Sequence, residues 1–289
     1  MRYTSNLRAS ILGAGVAASL LSSSAMADLE QFTPKDKAIG FQPAVTEVAE
    51  QIHIFHNFWL MPIITVIVVL ITVLLGIIVV KFNAKANPVP QKFSHNVKLE
   101  VAWTLIPVLI LVVIAFKSFP VLYQQDVIPE ADLTVKVTGY QWYWDYEYTD
   151  PAGDADKTLT YSSVMLSDEE AKAAGKPRLL GVDNPMVVPV GKTIVVEVLA
   201  ADVLHAFAMP AFGIKIDAVP GKMNQTWFKV NKPGIYYGQC SELCGARHAY
   251  MPIEVHVLPE DEYNAWLAAK QIEYANVNTL DSVQFASAN

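Results

Sequence analysis

Cysteine is scarce in this sequence, which contains only two cysteines among 289 residues, Cys240 and Cys244. So few cysteines exclude a disulfide-rich scaffold, and the CxxCH motif that attaches c-type haem does not occur. The long apolar segments also lack a cluster of histidines that could hold haem. We therefore expect no haem in this chain, so that any haem chemistry requires a separate subunit.

Basic residues are also scarce, chiefly in the C-terminal part of the chain. Residues 124–289 contain 12 Lys and Arg against 22 Asp and Glu, which is a net charge of −10. This sign disfavours a nucleic-acid partner, because phosphate binding requires clustered positive charge. It favours a basic protein partner that the field of the domain would steer into contact. An acidic surface that only keeps the domain soluble is the alternative.

Charged residues are absent from two long apolar runs. Residues 57–80 contain none, and at 1.5 Å per residue this run exceeds the roughly 30 Å of a hydrocarbon core. Residues 101–116 also contain none, and the run reaches Tyr123 if Lys117 extends its ammonium group toward the lipid headgroups. Two buried core helices would be shorter than these runs. The sequence therefore predicts a transmembrane helical hairpin over residues 56–123.

Two independent patterns predict the orientation of this hairpin. Residues 81–100 carry four lysines and one acid, Glu100, so the positive-inside rule places this connection in the cytoplasm. Residues 1–27 have the arginines, the apolar run and the Ala-Met-Ala cleavage pattern of a secretory signal peptide. Both patterns put residues 28–55 and 124–289 in the periplasm. We therefore expect a protein of the bacterial inner membrane with both termini outside.

A different pattern begins at Leu133, where short runs rich in Val, Ile, Tyr and Trp are separated by Pro and Gly. This pattern is typical of a β-sandwich or a β-barrel. Short helices are predicted at residues 168–174 and 260–272, and residues 273–289 form a polar tail. The predicted fold class is thus an α+β membrane protein, with a two-helix transmembrane hairpin followed by an antiparallel β-domain over residues 124–272.

Both cysteines lie in the segment GQCSELCGARHAYM, which also supplies His248 and Met251. Two thiolates, an imidazole and a thioether in close succession form a donor set that selects copper. His205, in the segment DVLHAF, is the expected donor from a distant strand. A blue-copper site needs only four of these five side chains. Either one cysteine is therefore a spectator, or two copper ions share both thiolates.

Two other interpretations compete with copper. Two cysteines in an oxidising compartment often form a disulfide, but a disulfide would need neither His248 nor Met251. Two cysteines and two histidines also make a complete structural zinc site, which would leave Met251 without a role.

The segment CSELCGARHAYM resembles the dinuclear copper A loop, CxExCxxxHxxM, of subunit II of haem–copper cytochrome c oxidases. The similarity covers roughly residues 45–270 and includes VTGYQWYWDYEYTD, VDNPMVVPVGK, DVLHAF and GIKIDAVPGKMNQTWF. Tyr140 is a departure, since the family has a histidine before Gln-Trp; we expect it to change local packing but not copper binding. The resemblance implies a cupredoxin-like β-domain that carries a copper A centre.

The resemblance also implies a role for each metal donor. Both cysteines would bridge two copper ions, with His205 and Met251 completing the coordination of one ion and His248 that of the other. Glu242 would contribute its backbone carbonyl to the second copper. Its carboxylate would reach a magnesium ion shared with subunit I, and oxygen donors suit magnesium.

Four further residues receive roles from the same resemblance. Trp142 would be the exposed ring where the electron enters, and Asp202 and Glu147 would belong to the acidic surface that receives cytochrome c. Glu100 matches a glutamate at the mouth of a proton channel in the neighbouring subunit. Two plainer interpretations remain. Alternate residues from Trp142 to Tyr148 would share one strand face and pack across strands, and Glu100 would only stabilise a helix N-terminus.

The function implied by the resemblance is that of subunit II of an aerobic, proton-pumping cytochrome c oxidase. This subunit would take electrons from cytochrome c and pass them to haem in subunit I, where oxygen is reduced to water. Subunit III and membrane lipid are the other expected partners. A quinol oxidase subunit would lack the copper donors, and a nitrous-oxide-reductase-like domain would lack the two spans. The remaining alternative is a membrane-anchored copper protein that transfers electrons or acts as a copper chaperone.

Overall fold

The computed structural model describes residues 29–89, 91–149 and 158–287. These residues form two compact units. One unit is Glu50–Val127, and the other contains the described residues up to Ala49 and from Ile128 onward. The predicted signal peptide, residues 1–27, lies outside the described residues.

The unit Glu50–Val127 contains two long apolar helices. Helix α1 spans Glu47–Lys81 and includes a π-helical segment at Phe55–Leu60, and helix α2 spans Val97–Asp126. Both helices are long and apolar enough to cross a membrane. The two predicted transmembrane helices are therefore confirmed, although each helix begins before its apolar run.

Polar side chains at the helix N-termini account for these earlier starts. Thr46 Oγ1 accepts a hydrogen bond from the N–H of Ala49 at 3.1 Å. Asn96 Oδ1 accepts one from the N–H of Lys98 at 3.1 Å, and Glu100 Oε1 accepts one from the N–H of Asn96 at 3.1 Å. Such caps satisfy backbone donors that have no partner within the helix. Glu100 therefore has a structural contact at the start of α2.

The other unit contains eleven described strands that form two sheets. The strands are β1 Gln31–Phe32, β2 Leu133–Tyr140, β3 Tyr143–Tyr148, β4 Leu159–Ser163, β5 Met186–Pro189, β6 Ile194–Ala200, β7 His205–Met209, β8 Ile214–Ala218, β9 Asn224–Phe228, β10 Gly234–Cys240 and β11 Pro252–Leu258. One sheet has the order β5-β11-β10-β7-β8, with β1 beside β10, and the other has the order β4-β3-β2-β6-β9. The predicted fold class, a two-helix hairpin followed by a β-sandwich domain, is confirmed, but the prediction that the domain is purely antiparallel is wrong. The pairs β1–β10, β5–β11 and β2–β6 are parallel, so the sheets are mixed.

Alternating apolar side chains form the core of the β-domain. Val135 and Val137 on β2 and Trp144 and Tyr146 on β3 have no exposed surface. The ring of Trp144 contacts the ring of Phe207 on β7, which belongs to the other sheet, with the ring centroids 5.8 Å apart. Burying a large apolar side chain contributes roughly 1.5–3 kcal/mol relative to leaving it exposed. This packing holds the two sheets together near the end of β10.

The aromatic segment LTVKVTGYQWYWDYEY forms a hairpin rather than one strand. β2 and β3 pair antiparallel, with Tyr140 opposite Tyr143, so Trp142 lies in the turn between them. Trp144 and Tyr148 share a buried face of β3, as the alternation predicts. The prediction that Trp142 shares this face is wrong, because the chain reverses direction before β3 begins.

The helices of the β-domain agree in part with the prediction. Helix α3, Asp168–Ala173, is confirmed, and Ser167 and Glu170 form a capping box at its start. Helix α4 runs from Glu260 to Ser287, so the predicted end at residue 272 is wrong. Residues 273–287 contain no glycine or proline that would end a helix, so the polar composition of this segment did not mark the end of α4.

Candidate metal centre

Two strands and one loop bring the predicted metal donors together. β7 begins with His205 and β10 ends with Cys240, and the two strands pair antiparallel with Cys240 opposite Phe207. The loop after β10 returns to it, and the N–H of Cys240 donates to the carbonyl of Met251 at 3.3 Å. Cys244 in this loop is buried, as are His205, Cys240 and Met251. Four of the five donor side chains therefore lie inside the end of the sandwich, whereas His248 is half-buried.

The donor atoms surround the two sulfurs. The Sγ atoms of Cys240 and Cys244 are 3.9 Å apart. His205 Nδ1 lies 3.9 Å from Cys240 Sγ. His248 Nδ1 and Met251 Sδ lie 3.5 and 3.4 Å from Cys244 Sγ. All five side chains that the sequence nominated thus meet at one place.

The two cysteines are not joined by a disulfide in this structure, and the arrangement supports a metal site. A disulfide requires a separation of about 2.05 Å, whereas both cysteines are free. The donor atoms of His205, Cys240 and Cys244 all lie within 4.8 Å of one another. The carbonyl oxygen of Glu242 adds a further donor, 3.3 Å from Cys240 Sγ. This set exceeds the four donors of one tetrahedral metal, so it fits a pair of metal ions that share the thiolates.

The electrostatics of the two thiols also suit a metal. Burial raises the pKa of Cys240, but hydrogen bonding with His205 and the backbone of Ala206 outweighs burial and lowers this pKa to about 7. Burial and the charge of Cys240 raise the pKa of Cys244 to about 12. Two sulfurs this close ionise together only when a cation neutralises them. Metal binding should therefore release a proton from this pair.

Asp202 holds the imidazole of His205. Its Oδ1 lies 2.9 Å from His205 Nε2, and its Oδ2 accepts a hydrogen bond from the N–H of Gln141 at 2.7 Å. A carboxylate on the far ring nitrogen is the usual partner of a metal-ligating histidine, because it fixes the tautomer and the ring orientation. Sequence reasoning placed Asp202 on the docking surface and missed this contact. Its position three residues before His205 was the available signal.

The turn between β2 and β3 contacts the metal loop. Trp142 Nε1 and Gln141 Nε2 both donate to the carbonyl of Cys244, at 3.3 and 2.8 Å. The Trp142 ring is half-buried. Gly245 allows this approach, since a Cβ atom there would lie 3.1 Å from Gln141 Nε2. Gln141 and Gly245 were not predicted as site residues, because neither carries a metal donor.

Trp144 and Gly139 position His205 from the neighbouring strands. The rings of Trp144 and His205 meet edge-on with centroids 5.9 Å apart, and Trp144 Nε1 donates to the carbonyl of Met251 at 3.3 Å. A Cβ atom at Gly139 would lie only 3.0 Å from His205 Cδ2. A larger residue at this position would therefore displace the imidazole, which explains the glycine.

Three other nominated residues make contacts away from the sulfurs. Glu147 forms an ion pair with Lys136 at 3.0 Å, and both side chains are about one-third exposed. Tyr140 stacks on Tyr143 with ring centroids 4.8 Å apart. Glu100 contributes to the start of α2, as described above. The suggested roles of Glu147 in docking and of Glu100 in proton uptake stay predictions.

Comparison with known proteins distinguishes the classes of copper protein considered above. The family model described as cytochrome c oxidase subunit II, periplasmic domain, matches residues 133–258, and the model of the transmembrane domain of that subunit matches residues 34–121. The chain belongs to the cytochrome c oxidase subunit II family. It is therefore a membrane-anchored subunit of a haem–copper terminal oxidase, as the resemblance predicted. This family favours an oxidase subunit over a copper chaperone.

Individual members of the family are similar over most of the chain. The probable cytochrome c oxidase subunit 2 of Rickettsia felis is 51% identical over 232 residues, which cover 80% of this chain and 71% of that protein. Cytochrome c oxidase subunit 2 of Cereibacter sphaeroides is 45% identical, with 92% of each chain covered. A crystal structure of the periplasmic domain of cytochrome oxidase subunit II of Bradyrhizobium japonicum is 51% identical and covers 51% of this chain and 99% of that chain, with a TM-score of 0.46.

Proposed function

We propose that the chain accepts electrons from cytochrome c at a dinuclear copper A centre and passes them to haem in subunit I. There, oxygen would be reduced to water with proton pumping. The observation that supports this proposal best is the convergence of three further donor side chains and one carbonyl around two free thiols 3.9 Å apart. A single copper would leave part of this donor set unused.

The proposed coordination divides the donors between two copper ions bridged by both thiolates. His205 and Met251 would complete the coordination of one ion, and His248 with the carbonyl of Glu242 would complete that of the other. Copper held by these residues would supply one-electron redox chemistry. The chain keeps its donors in place for this step, because burial excludes water and Asp202 holds His205 through the 2.9 Å contact. Fixed donors limit the rearrangement that would otherwise slow electron transfer.

Trp142 is the proposed group through which the electron enters. Its ring is half-buried, and its N–H donates to the carbonyl of Cys244, so one hydrogen bond joins the surface to a proposed metal ligand. Trp144, Tyr146 and Tyr148 on β3 are buried in the core, and the half-buried Tyr143 stacks on Tyr140 instead.

A Trp142→Phe variant of the assembled oxidase should oxidise cytochrome c at least about tenfold more slowly, which is a barrier increase of about 1.4 kcal/mol. The indole N–H that links the ring to Cys244 would be lost, whereas the metal donors would remain. Stopped-flow reduction of the copper centre measures this step. Trp227→Phe on β9 is the matched control, and copper content should stay unchanged in both variants. Equal rates in the two variants would contradict the role of Trp142.

Cytochrome c would dock on the acidic periplasmic domain. Asp202 and Glu147 already have partners within the chain, so the attraction must come chiefly from the summed field of the 22 acidic residues after residue 123. Exposed charges are screened within about 10 Å at 0.1 M salt. We expect the rate with cytochrome c to fall at least about tenfold between low and 0.3 M salt, because steered association depends on this field. Turnover with a small neutral reductant is the control, and a salt-independent rate with cytochrome c would remove the acidic-surface proposal.

The remaining assignments belong to the same proposal. The carboxylate of Glu242 would bind a magnesium ion at the boundary with subunit I, where oxygen donors are appropriate. Glu100 would lie at the cytoplasmic mouth of a proton channel, in addition to its contact at the start of α2. Subunit III and membrane lipid would complete the surroundings of the hairpin in the bacterial inner membrane. This chain would hold no haem.

A further inference from the structure

One residue of the turn between β2 and β3, Gln141, contacts two separate parts of the metal site. Its backbone N–H donates to Asp202 Oδ2 at 2.7 Å, and Asp202 Oδ1 lies 2.9 Å from His205 Nε2. Its side-chain Nε2 donates to the carbonyl of Cys244 at 2.8 Å. His205 begins β7, and Cys244 lies in the loop after β10. Gln141 therefore connects metal donors that come from different segments of the chain.

Cys244 is a thiol whose position affects donors of both proposed copper ions. Its Sγ lies 3.9 Å from Cys240 Sγ, 3.5 Å from His248 Nδ1 and 3.4 Å from Met251 Sδ. In the proposed coordination, His248 and Met251 belong to different ions. A rotation of the Cys244 backbone would move its sulfur relative to both of them. The conformation of this residue must therefore be fixed for the donor set to keep its geometry.

The peptide bond that follows Cys244 has little local restraint. Gly245 has a φ of +116°, and glycine adopts positive and negative φ with similar ease because it has no Cβ atom. The carbonyl of Cys244 instead accepts two hydrogen bonds from the β2–β3 turn, at 2.8 Å from Gln141 Nε2 and at 3.3 Å from Trp142 Nε1. A carbonyl oxygen has two lone pairs, so these donors saturate it. The turn therefore sets the orientation of this peptide.

The β2–β3 hairpin supports Gln141 from both strands. Tyr140 at the end of β2 stacks on Tyr143 at the start of β3, with ring centroids 4.8 Å apart. Gln141 is exposed, so water could satisfy its amide, yet the amide donates to the carbonyl of Cys244. A donor on a supported turn can hold its acceptor in place, as a preorganised site requires. This placement favours a positioning role over that of a solvated surface residue.

We propose that Gln141 is a positioning residue that holds Cys244 and His205 in a fixed relation and thereby raises the reduction potential of the copper pair. The inference rests on the proposed copper A function and adds to it a residue that carries no metal donor. The amide N–H draws negative charge from the peptide of a thiolate ligand, and hydrogen bonding around a cysteine sulfur adjusts the potential of a copper site. Loss of this donor should therefore disfavour the added electron.

The test compares Gln141→Met with the wild type in the full-length chain in lipid nanodiscs. Methionine keeps the length of the side chain and the backbone N–H but removes the amide donor. In the metal-free chain with reduced thiols, the amides of residues 241–251 should exchange hydrogen for deuterium about fivefold faster, because one hydrogen bond to the loop is lost. In the copper-loaded chain, the equilibrium constant for one-electron reduction should fall about threefold, which is about 28 mV.

Copper content should stay at the wild-type level, because all five donor side chains and the bond from Trp142 remain. Gln225→Met is the matched control, since Gln225 is also exposed and its Nε2 donates to Glu197 Oε1 at 2.9 Å on β9 and β6. This control should match the wild type in both measurements.

Two outcomes would overturn the positioning role of Gln141. One is an exchange rate of residues 241–251 that is the same in Gln141→Met and Gln225→Met. The other is an unchanged reduction potential in Gln141→Met. A chain that binds no copper pair would instead contradict the proposed function, and the exchange measurement on the metal-free chain would still decide whether Gln141 holds the loop.

Discussion

Replacing Cys240 with serine should abolish the dinuclear centre and lower cytochrome c oxidation by the assembled enzyme more than about 100-fold, or about 2.7 kcal/mol of barrier. Cys240 is the sulfur that lies 3.9 Å from both His205 Nδ1 and Cys244 Sγ, so its loss removes one of two proposed bridges. A serine hydroxyl does not ionise near neutral pH and is a poor ligand for copper, which prefers soft thiolates. Bound copper should fall from two ions to at most one per chain.

The control for this variant lies in the same loop. Ser241 is exposed, and its Oγ donates to the carbonyl of Gln239 at 3.4 Å. Ser241→Ala should therefore keep both copper ions and nearly full activity. Metal analysis by mass spectrometry and steady-state oxidation of reduced cytochrome c give the two readouts. A Cys240→Ser enzyme that retains two copper ions and an unchanged visible spectrum would contradict the bridging role.

The second large effect concerns stability rather than electron transfer. Glu254 is fully buried, and its carboxylate contacts Lys176 at 3.0 Å, His256 at 2.6 Å and the N–H of Val182 at 2.9 Å. Burial alone would raise the pKa of Glu254, but His256, Lys176 and the backbone N–H lower it overall, so the carboxylate is charged. Glu254→Gln should lower the free energy of unfolding of the β-domain by about 3–5 kcal/mol, because Lys176 loses its buried counter-charge.

Glu147→Gln is the matched control for this change. Glu147 forms the same kind of pair with Lys136, but both side chains are about one-third exposed, so its loss should cost no more than about 1 kcal/mol. Thermal unfolding followed by near-ultraviolet circular dichroism compares the two variants. Because the folded-state pKa of Glu254 is depressed, its stabilisation is present above the unfolded-state pKa, about 4.3, and is lost as the pH falls below it. The difference in unfolding free energy between the wild type and Glu254→Gln should therefore become smaller in acid. Equal thermal unfolding midpoints at pH 7 would contradict the stabilising role of the buried pair.

The metal loop was predictable from sequence because its chemistry is local. Four donors lie between Cys240 and Met251, and one copper-selecting pattern explains them all. Gly139 was not predictable in the same way, because it packs against His205 from another segment of the chain. Asp202 lies only three residues before His205, but the donor pattern does not show that its carboxylate contacts the imidazole. Contacts of this kind depend on strand pairing, which the donor pattern does not contain.

The alternation of apolar and polar residues in β11 correctly indicates its buried apolar face but does not indicate that its polar face is also buried. In β11, Ile253 and Val255 alternate with Glu254 and His256, which predicts a strand with one face in water. Both faces are buried instead, because the segment that carries Lys176 covers the polar face and neutralises Glu254. A long-range ion pair therefore created a buried surface that alternation alone could not show.

The β2–β3 hairpin shows a second limit. The turn at Gln141 and Trp142 contains no proline or glycine, so the continuous aromatic pattern concealed the reversal of the chain. This reversal is what places Trp142 against the carbonyl of Cys244. Only the resemblance to the oxidase family singled out this tryptophan.

The most direct measurement combines copper quantification with electron paramagnetic resonance on the intact, copper-loaded chain. A pair of copper ions bridged by Cys240 and Cys244 predicts two ions per chain, with one unpaired electron coupled equally to both nuclei. A single copper with localised coupling would contradict this centre. So would a chain in which Cys240 and Cys244 are joined by a disulfide and no copper is bound.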